Sequence, residues 1–198
     1  YATEYLRGVM RASLHTDPIT WLRSPPIPIT SIDRVLSGFD RSKPMTVMRY
    51  KGPHTFYRVA GWDETKSKMA DPYGCWWIDE AVLGAIYSKI ARLDMYEGWI
   101  PPDLLNRIKS LPMHYRALTA VCTDWNDFRE QVALKLPHGE EIIGLSGGIA
   151  PQPLRGSMDR NSSKTPWLPG GLEQVFFKRA NAIENNINPL WVHWIKLW

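Results

Sequence analysis

Short apolar runs bounded by glycine and proline fill the last third of this 198-residue chain and constrain its fold most strongly. They are EEIIGLSGGIA at 140–150, LPGGLEQVFF at 168–177 and LWVHWIKLW at 190–198. Runs of this length that end in turn residues are typical of strands, and they are too short to cross a bilayer as helices. Because helical patterns come mainly before them, we predict an α+β fold on a mostly antiparallel sheet, without membrane insertion.

The first 50 residues form an N-terminal segment with a helical pattern and several prolines. Apolar side chains at helical spacing predict a helix over 1–17, which Pro18 ends. Several prolines over 18–46 predict an irregular, wrapping course with one short helix near Ile32–Leu36. We therefore predict a helical and Pro-rich wrapping segment over 1–50 and a second unit over 51–198.

The middle of the chain carries the clearest helical patterns. A helix is predicted over 79–96, with Asp79 as its N-cap, because a short polar side chain can accept hydrogen bonds from the first turn. A second helix is predicted over 101–111, where proline stands at the start. The stretch at 126–136 is also predicted to be helical.

Composition places the chain among ordinary globular domains. Its 44% hydrophobic and 22% charged residues exclude long disorder, and the net charge of +4 would tolerate an anionic ligand. Ten tryptophans predict either an aromatic core or exposed rings that stack on a flat ligand. Cys75 and Cys122 could form at most one bridge, and the sequence leaves open whether they pair.

The segment PGGLEQVFF at 169–177 is the strongest local motif. Two consecutive glycines, Gly170 and Gly171, allow a sharp turn and a close approach of the backbone to a ligand. The strand that follows holds Glu173 and Gln174 at its beginning, on opposite faces. The alternative interpretation is the start of a hairpin with two solvated polar residues.

A second glycine-rich motif, GLSGGIAPQ at 144–152, closes a predicted strand and contains Ser146. Backbone N–H groups in such a bend can form a nest for an anion such as phosphate. The motif lacks the lysine of a phosphate-binding P-loop, so the sequence does not support an ATPase function. A simple turn is the alternative.

The segment HTFYRVAGW at 54–62 predicts a strand. Its alternation places Tyr57 and Val59 on one face and Phe56 and Arg58 on the other. An arginine in the middle of a strand needs an anionic partner, which could be a phosphate or an internal carboxylate.

Two adjacent indoles, Trp76 and Trp77, follow a predicted turn at 71–74. One ring could pack inward while the other stacks on a planar ligand. Core packing of both rings is the alternative.

The five histidines show no spacing typical of a zinc site, and no metal is predicted. The sequence also lacks the G-x-S-x-G motif of serine hydrolases. A ribonuclease that uses His54, His114 or His138 as a base stays open, because such a site needs only spatial proximity. A non-catalytic module that binds through its tryptophans also stays open.

Taken in order, these motifs resemble the ADP-ribosyltransferase superfamily. The resemblance covers roughly residues 54–180 and rests on the Tyr-Arg strand, the Gly-x-Trp-Trp segment, the G-x-x-G-G-x-A-P-Q strand end and the P-G-G-x-x-Q strand start. Within the superfamily, the chain is similar to NAD-consuming domains at the C-termini of bacterial polymorphic toxins, including the tuberculosis-necrotizing-toxin type.

The resemblance implies a fold of split antiparallel sheets around a cleft, with NAD as the substrate and 51–198 as the catalytic domain. Tyr57 and Arg58 would bind NAD, with Arg58 on its phosphates. Trp76 or Trp77 would contact the nicotinamide side, and Ser146 would stand at the position of the family's strand-end serine.

The resemblance also implies the catalytic residues. In transferases a catalytic glutamate precedes an apolar strand in an E/Q-x-E arrangement, whereas this chain has Gln174 at that position and Glu173 one residue earlier. Because the necrotizing-toxin type also presents a glutamine there, Gln174 favours an NAD⁺ glycohydrolase. Glu173 keeps a mono-ADP-ribosyltransferase open, and Gly170 and Gly171 would bring backbone N–H groups to NAD.

The same resemblance implies a biological setting. The chain begins with Tyr1 and has no signal-peptide pattern, so that we interpret it as the C-terminal piece of a longer protein. The family implies secretion or delivery into a target cell, action in its cytoplasm, and an immunity protein that blocks the cleft. A transferase would also need an acceptor, which could be a protein or a structured RNA.

Overall fold

Strands dominate the computed structural model of the chain. It describes residues 11–25, 30–60, 62–63, 68–69, 75–93, 102, 114–115, 118–119, 130–153, 167–168, 170–178 and 189–196. The strands are β1 Arg11–Ser13, β2 Met45–Lys51, β3 His54–Ala60, β4 Trp62–Asp63, β5 Lys68–Met69, β6 Trp76–Asp79, β7 Glu130–Leu136, β8 Glu141–Gly148, β9 Gln152–Pro153, β10 Trp167–Leu168, β11 Glu173–Phe176 and β12 Val192–Lys196. The helices are α1 Pro18–Arg23, α2 Ile32–Leu36 and α3 Glu80–Ala91, and a 3₁₀ turn covers Pro189–Trp191.

Eight strands form one antiparallel sheet in the order β1-β2-β8-β11-β6-β3-β7-β12. The four-residue strand β6 divides its pairing between two neighbours. Its first residues, Trp76 and Trp77, pair with β11, and its last residues, Ile78 and Asp79, pair with β3. Strand β6 therefore joins a first half (β1, β2, β8 and β11) to a second half (β3, β7 and β12).

The two halves of the sheet face each other. In a flat sheet, β2 and β3 would lie about 19 Å apart, since four spacings of about 4.8 Å separate them in this order. The ring centroids of Tyr50 on β2 and Phe56 on β3 nevertheless lie 5.0 Å apart. The sheet is therefore folded over at β6, and we call the face between its halves the inner face.

Three clusters of buried apolar side chains fix this arrangement. The cluster on the inner face joins both halves and contains Tyr50, Phe56, Trp77 and Phe177. Helices α1 and α2 cover the outer face of the first half, and α3 covers that of the second half. The order of layers is therefore helix, sheet, sheet, helix, with an apolar layer at each boundary.

Most of the predicted strands are confirmed, and so is the α+β class with an antiparallel sheet. Strand β3 places Val59 and Tyr57 against α3 and Phe56 on the inner face, as the alternation predicts. Helix α3 begins after Asp79, whose carboxylate accepts a hydrogen bond from the N–H of Val82 at 2.9 Å. The short helix Ile32–Leu36 is also confirmed.

Two helix predictions are wrong within the described residues. In the segment predicted as a helix over 1–17, Arg11–Ser13 is a strand that pairs with the edge of β2. In the stretch predicted as a helix over 126–136, Glu130–Leu136 is a strand between β3 and β12. Pairing on both sides buries nearly all of β7 and overrides its local preference. The helix predicted over 101–111 lies outside the described residues, except for position 102.

The domain boundary predicted at residue 50 falls within β2. This strand pairs with β8 along its whole length, from Met45 opposite Gly147 to Lys51 opposite Glu141. Strands from both sides of residue 50 therefore build one sheet.

Two glycines offer a matched test of the packing. A Cβ at Gly144 would lie 2.6 Å from Cγ1 of Val175 and 2.7 Å from Cε1 of Phe177 in the inner core, whereas a Cβ at Gly84 on α3 meets no atom within 4 Å. We expect Gly144→Ala to lower the free energy of unfolding by about 1–3 kcal/mol. Gly84→Ala should raise it by about 0.5–1 kcal/mol. Urea unfolding checks both values, and equal effects would contradict the close packing of Val175 and Phe177 against β8 at Gly144.

Candidate active site

A cleft of about 390 Å³ opens on the inner face, where β2, β8 and β11 lie side by side. Its lining combines two cations, one carboxylate, two hydroxyls and the backbone of three glycines. The polar side chains are those of Arg11, Lys43, Thr46, Ser146 and Glu173. The guanidinium and ammonium groups of this lining can form charge-assisted hydrogen bonds to an anionic ligand.

The register between β8 and β11 brings Ser146 and Glu173 together. Ser146 lies opposite Val175, two residues from Glu173, so that both side chains point to the inner face. The Ser146 hydroxyl donates a hydrogen bond to Oε1 of Glu173. Ser146 is buried and Glu173 is exposed, so the serine orients a carboxylate that is open to the cleft.

The glycine pair before β11 sets the position of this carboxylate. Gly170 and Gly171 have φ angles of +62° and +93°, which side chains other than glycine rarely adopt. A Cβ on Gly170 would lie 2.8 Å from the carbonyl oxygen of Ile149, while Gly171 lines the cleft. The turn therefore needs glycine for both conformation and space, and it starts the strand at the cleft.

Two cations face the cleft from separate elements. Arg11, on strand β1, forms an ion pair of 3.6 Å with Oδ2 of Asp79. Lys43 lies 3.6 Å from Asp40 and donates a hydrogen bond of 3.3 Å to the carbonyl oxygen of Gly171. Both cations are well exposed, so they can exchange these partners for an anionic ligand.

Tyr50 lies below the cleft in the inner core and is 1% exposed. Burial raises the pKa of Tyr50, and the carboxylates of Glu173 and Asp79 add to that increase. The phenol therefore stays protonated and can donate a hydrogen bond throughout the physiological pH range.

The structure does not bring Gln174 to the cleft. Its side chain points to the outer face, where Nε2 donates a hydrogen bond of 2.6 Å to the carbonyl oxygen of Gly38. The same carbonyl accepts from the N–H of Ala150, so Gln174 fastens β11 to the chain that follows α2. This contact is structural, whereas the neighbouring Glu173 lines the cleft.

The other predicted binding residues lie in the core or beside it. The guanidinium of Arg58 is 5.5 Å from the ring centre of Trp77, which is fully buried on the inner face. Trp76 packs on the outer face, 5.2 Å from Phe39, and Tyr57 packs against the cluster under α3. None of these four predicted residues lines the cleft.

Sequence reasoning missed the two cations of the cleft and the polar residues next to them. Arg11 falls in a stretch with a helical pattern, and Lys43 and Tyr50 carry no recognisable motif. Asp79 was identifiable only as a helix cap, a role that it performs with Oδ1 while Oδ2 pairs with Arg11. Strand pairing in the order β1-β2-β8-β11-β6 brings these residues near the Gly-Gly strand.

His54 is a half-buried residue on the inner face. Its ring lies 4.6 Å from that of Phe56, and its Nε2 atom has no hydrogen-bond partner within the part of the chain that the structure describes. His138 lies exposed after β7. Within the described residues, no three His, Cys, Asp or Glu side chains form a group that could hold a metal ion. None of the described helices has the length and apolarity needed to cross a membrane.

Comparisons with known proteins give no match. No protein-family model matches the sequence, and no curated protein or solved structure is significantly similar to the chain. The function must therefore be argued from the cleft and its side chains.

The roles of Gln174 and Glu173 can be separated by protein stability. We expect Gln174→Ala to lower the free energy of unfolding by about 1 kcal/mol or more, because it removes a buried hydrogen bond and side-chain packing. Glu173→Gln should change it by less than about 0.5 kcal/mol, because this exposed position still offers Ser146 an acceptor. Thermal and urea unfolding check the difference, and a larger loss for Glu173→Gln would contradict the assignment.

The stability of the protein should depend on the protonation of His54. Burial lowers the pKa of His54 from its ordinary value of 6.5, although Asp79 and Glu80 partly oppose the shift. Because the unfolded chain binds this proton more readily, the free energy of unfolding should fall as the pH falls below about 6.5. His54→Phe should weaken that dependence, and His138→Gln should retain it. Urea unfolding at pH 8 and pH 5 compares them, and an unchanged dependence in His54→Phe would exclude His54 as a cause.

Proposed function

We propose that this chain is an enzyme that cleaves the bond between nicotinamide and ribose in NAD⁺. The observation that carries the proposal is the hydrogen-bonded pair of Ser146 and Glu173 in a cleft that also presents Arg11 and Lys43. A carboxylate beside two cations suits a substrate that carries both a cationic reacting centre and an anionic diphosphate. The resemblance of the Gly-Gly strand start to the ADP-ribosyltransferase superfamily supports the same chemistry.

Glu173 supplies the negative charge that this reaction needs. When the bond breaks, its electron pair leaves with nicotinamide, and positive charge develops on the ribose as an oxocarbenium-like state. A fixed carboxylate that hydrogen-bonds the ribose hydroxyls stabilises this charge more than it stabilises the ground state. Ser146 keeps the carboxylate oriented, so that little reorganisation is needed during the reaction. Nicotinamide leaves as a neutral molecule and needs no strong acid.

Arg11 and Lys43 replace Arg58 as the proposed diphosphate ligands. Both side chains line the cleft, whereas Arg58 stacks near Trp77. Charge-assisted hydrogen bonds from guanidinium and ammonium groups to phosphate are among the stronger polar contacts in proteins. On binding, the phosphates would take the place of Asp79 and Asp40 as partners of the two cations.

Water is the proposed acceptor of the ADP-ribosyl group. In the E/Q-x-E arrangement of transferases, the first side chain stands two positions before the catalytic glutamate. Here that position is Gly171, which has no side chain beyond hydrogen. Water adds to the anomeric carbon and releases a proton to solvent, so that NAD⁺ and water give nicotinamide, ADP-ribose and one proton.

The same proposal includes a biological role. An enzyme that depletes NAD⁺ would act as a toxin after delivery into the cytoplasm of a target cell. The producing cell would then need an immunity protein, and covering the cleft around Glu173 would be sufficient to block the reaction.

Release of nicotinamide from NAD⁺ by the purified chain tests the function. We expect Glu173→Gln to lower kcat by about a hundredfold or more, because it removes the charge that stabilises the transition state. Arg11→Met and Lys43→Met should instead raise KM by about tenfold each, because each removes one charge-assisted contact. Glu141→Gln, at the other end of β8, is the matched control and should retain wild-type kinetics.

Product analysis distinguishes the acceptors. Free ADP-ribose alone supports hydrolysis, whereas label from NAD⁺ on a protein or an RNA would show transfer and overturn the choice of water. Wild-type protein that is folded but releases no nicotinamide would refute NAD⁺ cleavage altogether.

A further inference from the structure

The proposed reaction treats the carboxylates of Asp79 and Asp40 only as partners that a ligand displaces from the two cations. Asp79 is the last residue of β6 and the N-cap of α3, whereas Asp40 lies between α2 and β2. Neither side chain lines the cleft itself. Although the two aspartates belong to different elements, they are bound in the same way.

Asp79 divides its two carboxylate oxygens between the backbone and a cation. Oδ1 accepts a hydrogen bond of 2.9 Å from the N–H of Val82, and Oδ2 lies 3.6 Å from Nη1 of Arg11. The side chain of Asp79 is 8% exposed, whereas that of Arg11 is 39% exposed. The helix cap therefore fixes the carboxylate, while the long arginine side chain is free to turn towards a ligand.

Asp40 shows the same division of its oxygens. Oδ1 accepts hydrogen bonds from the N–H of Ser42 at 3.0 Å and from its hydroxyl at 2.6 Å, while Oδ2 lies 3.6 Å from Nζ of Lys43. The N–H of Asp40 donates a hydrogen bond of 2.8 Å to the carbonyl oxygen of Gly148, which lines the cleft at the end of β8. Local hydrogen bonds therefore fix this carboxylate too, beside a cation that is well exposed.

A fixed carboxylate beside each cation opposes the binding of an anion. A cation that leaves its internal partner for a ligand gains one ion pair and loses another, so that only the difference contributes to affinity. Glu173 adds a third carboxylate, and among the described charges at the cleft the carboxylates therefore outnumber the cations. The affinity of the cleft for an anion is thus lower than its two cations alone would give.

We propose that Asp79 and Asp40 are internal counter-ions that compete with the ligand for the two cations and thereby limit the affinity of the cleft for anions. When a ligand leaves, the carboxylates take the cations back, which favours release of a product that keeps the diphosphate. This role in product release rests on the proposed NAD⁺ cleavage, whereas the competition for the cations does not depend on it.

Binding of inorganic pyrophosphate tests the competition without any activity. Asparagine at either position keeps an oxygen that accepts the local hydrogen bonds and removes the charge that faces the cation. At constant ionic strength, we expect Asp79→Asn and Asp40→Asn each to lower the Kd of pyrophosphate by about threefold, as measured by titration calorimetry. Damage to the fold would weaken binding, so that a merely structural role of the aspartates would not produce this gain.

Asp33→Asn is the matched control for the change in net charge. Asp33 lies exposed on α2, which covers the outer face, and its substitution removes the same charge from the chain. We expect its Kd for pyrophosphate to equal that of the wild type. An unchanged or higher Kd in either Asp79→Asn or Asp40→Asn would overturn the inference, and so would an equal gain in Asp33→Asn or the absence of binding in every variant.

Double-mutant cycles test whether each aspartate acts through its own cation. In an Arg11→Met background, Asp79→Asn should no longer lower the Kd of pyrophosphate, and in a Lys43→Met background, Asp40→Asn should not lower it either. A gain that persists would refute competition for that cation. Because the two ion pairs share no partner, the variant with both asparagines should bind pyrophosphate about tenfold more tightly than the wild type. Circular dichroism shows whether each variant is folded.

The outcomes separate this inference from the proposed function. Tighter pyrophosphate binding by the asparagine variants of a protein that does not cleave NAD⁺ would support the counter-ions and refute the function. Cleavage of NAD⁺ by a protein whose pyrophosphate affinity is the same in all variants would refute the counter-ions and leave the function standing. If both proposals hold, Asp79→Asn should also strengthen inhibition by the product ADP-ribose by about threefold.

Discussion

The divided pairing of β6 is the constraint on which the rest of the structure depends. Four residues join β11 on one side and β3 on the other, so that the sheet folds over and its two halves enclose an aromatic core. Trp77 at this junction is fully buried and contributes the largest side chain of that core. Without the junction, Tyr50 would not meet Phe56, and the inner face would expose a large apolar surface to water.

The candidate site uses the same junction. Ser146 and Glu173 belong to the first half of the sheet, where strand register alone places them side by side. Asp79 belongs to β6 and pairs with Arg11, which comes from the far edge of the first half. One carboxylate thus caps α3, helps to hold the folded-over sheet, and directs a cation towards the cleft. Packing, helix capping and the position of a cation in the cleft are therefore coupled through a few residues.

The alternation of side chains along β11 decides which of two adjacent residues, Glu173 or Gln174, faces the cleft. Glu173 and Gln174 are neighbours in sequence, yet a strand sends them to opposite faces, and only one of those faces carries the cleft. The alternation was predictable, and so was the glycine turn before it. The face of β11 that carries the site was not predictable, because it depends on β8, β2 and α2, which lie far away in the sequence. Gln174 instead meets the carbonyl of Gly38, a contact that no local pattern indicates.

The sequence by itself determined the local features: the antiparallel α+β class, the strands His54–Ala60 and Glu141–Gly148, the Asp79 cap and the glycines that start β11. These depend on short-range periodicity and on backbone conformations that few residues adopt. Only the tertiary structure decided that Glu130–Leu136 is a strand and that Arg11 and Lys43 line the same cleft as the Ser146–Glu173 pair. The physical reason is that strand pairing and burial between distant segments outweigh local propensity, and both depend on how the sheet folds over at β6.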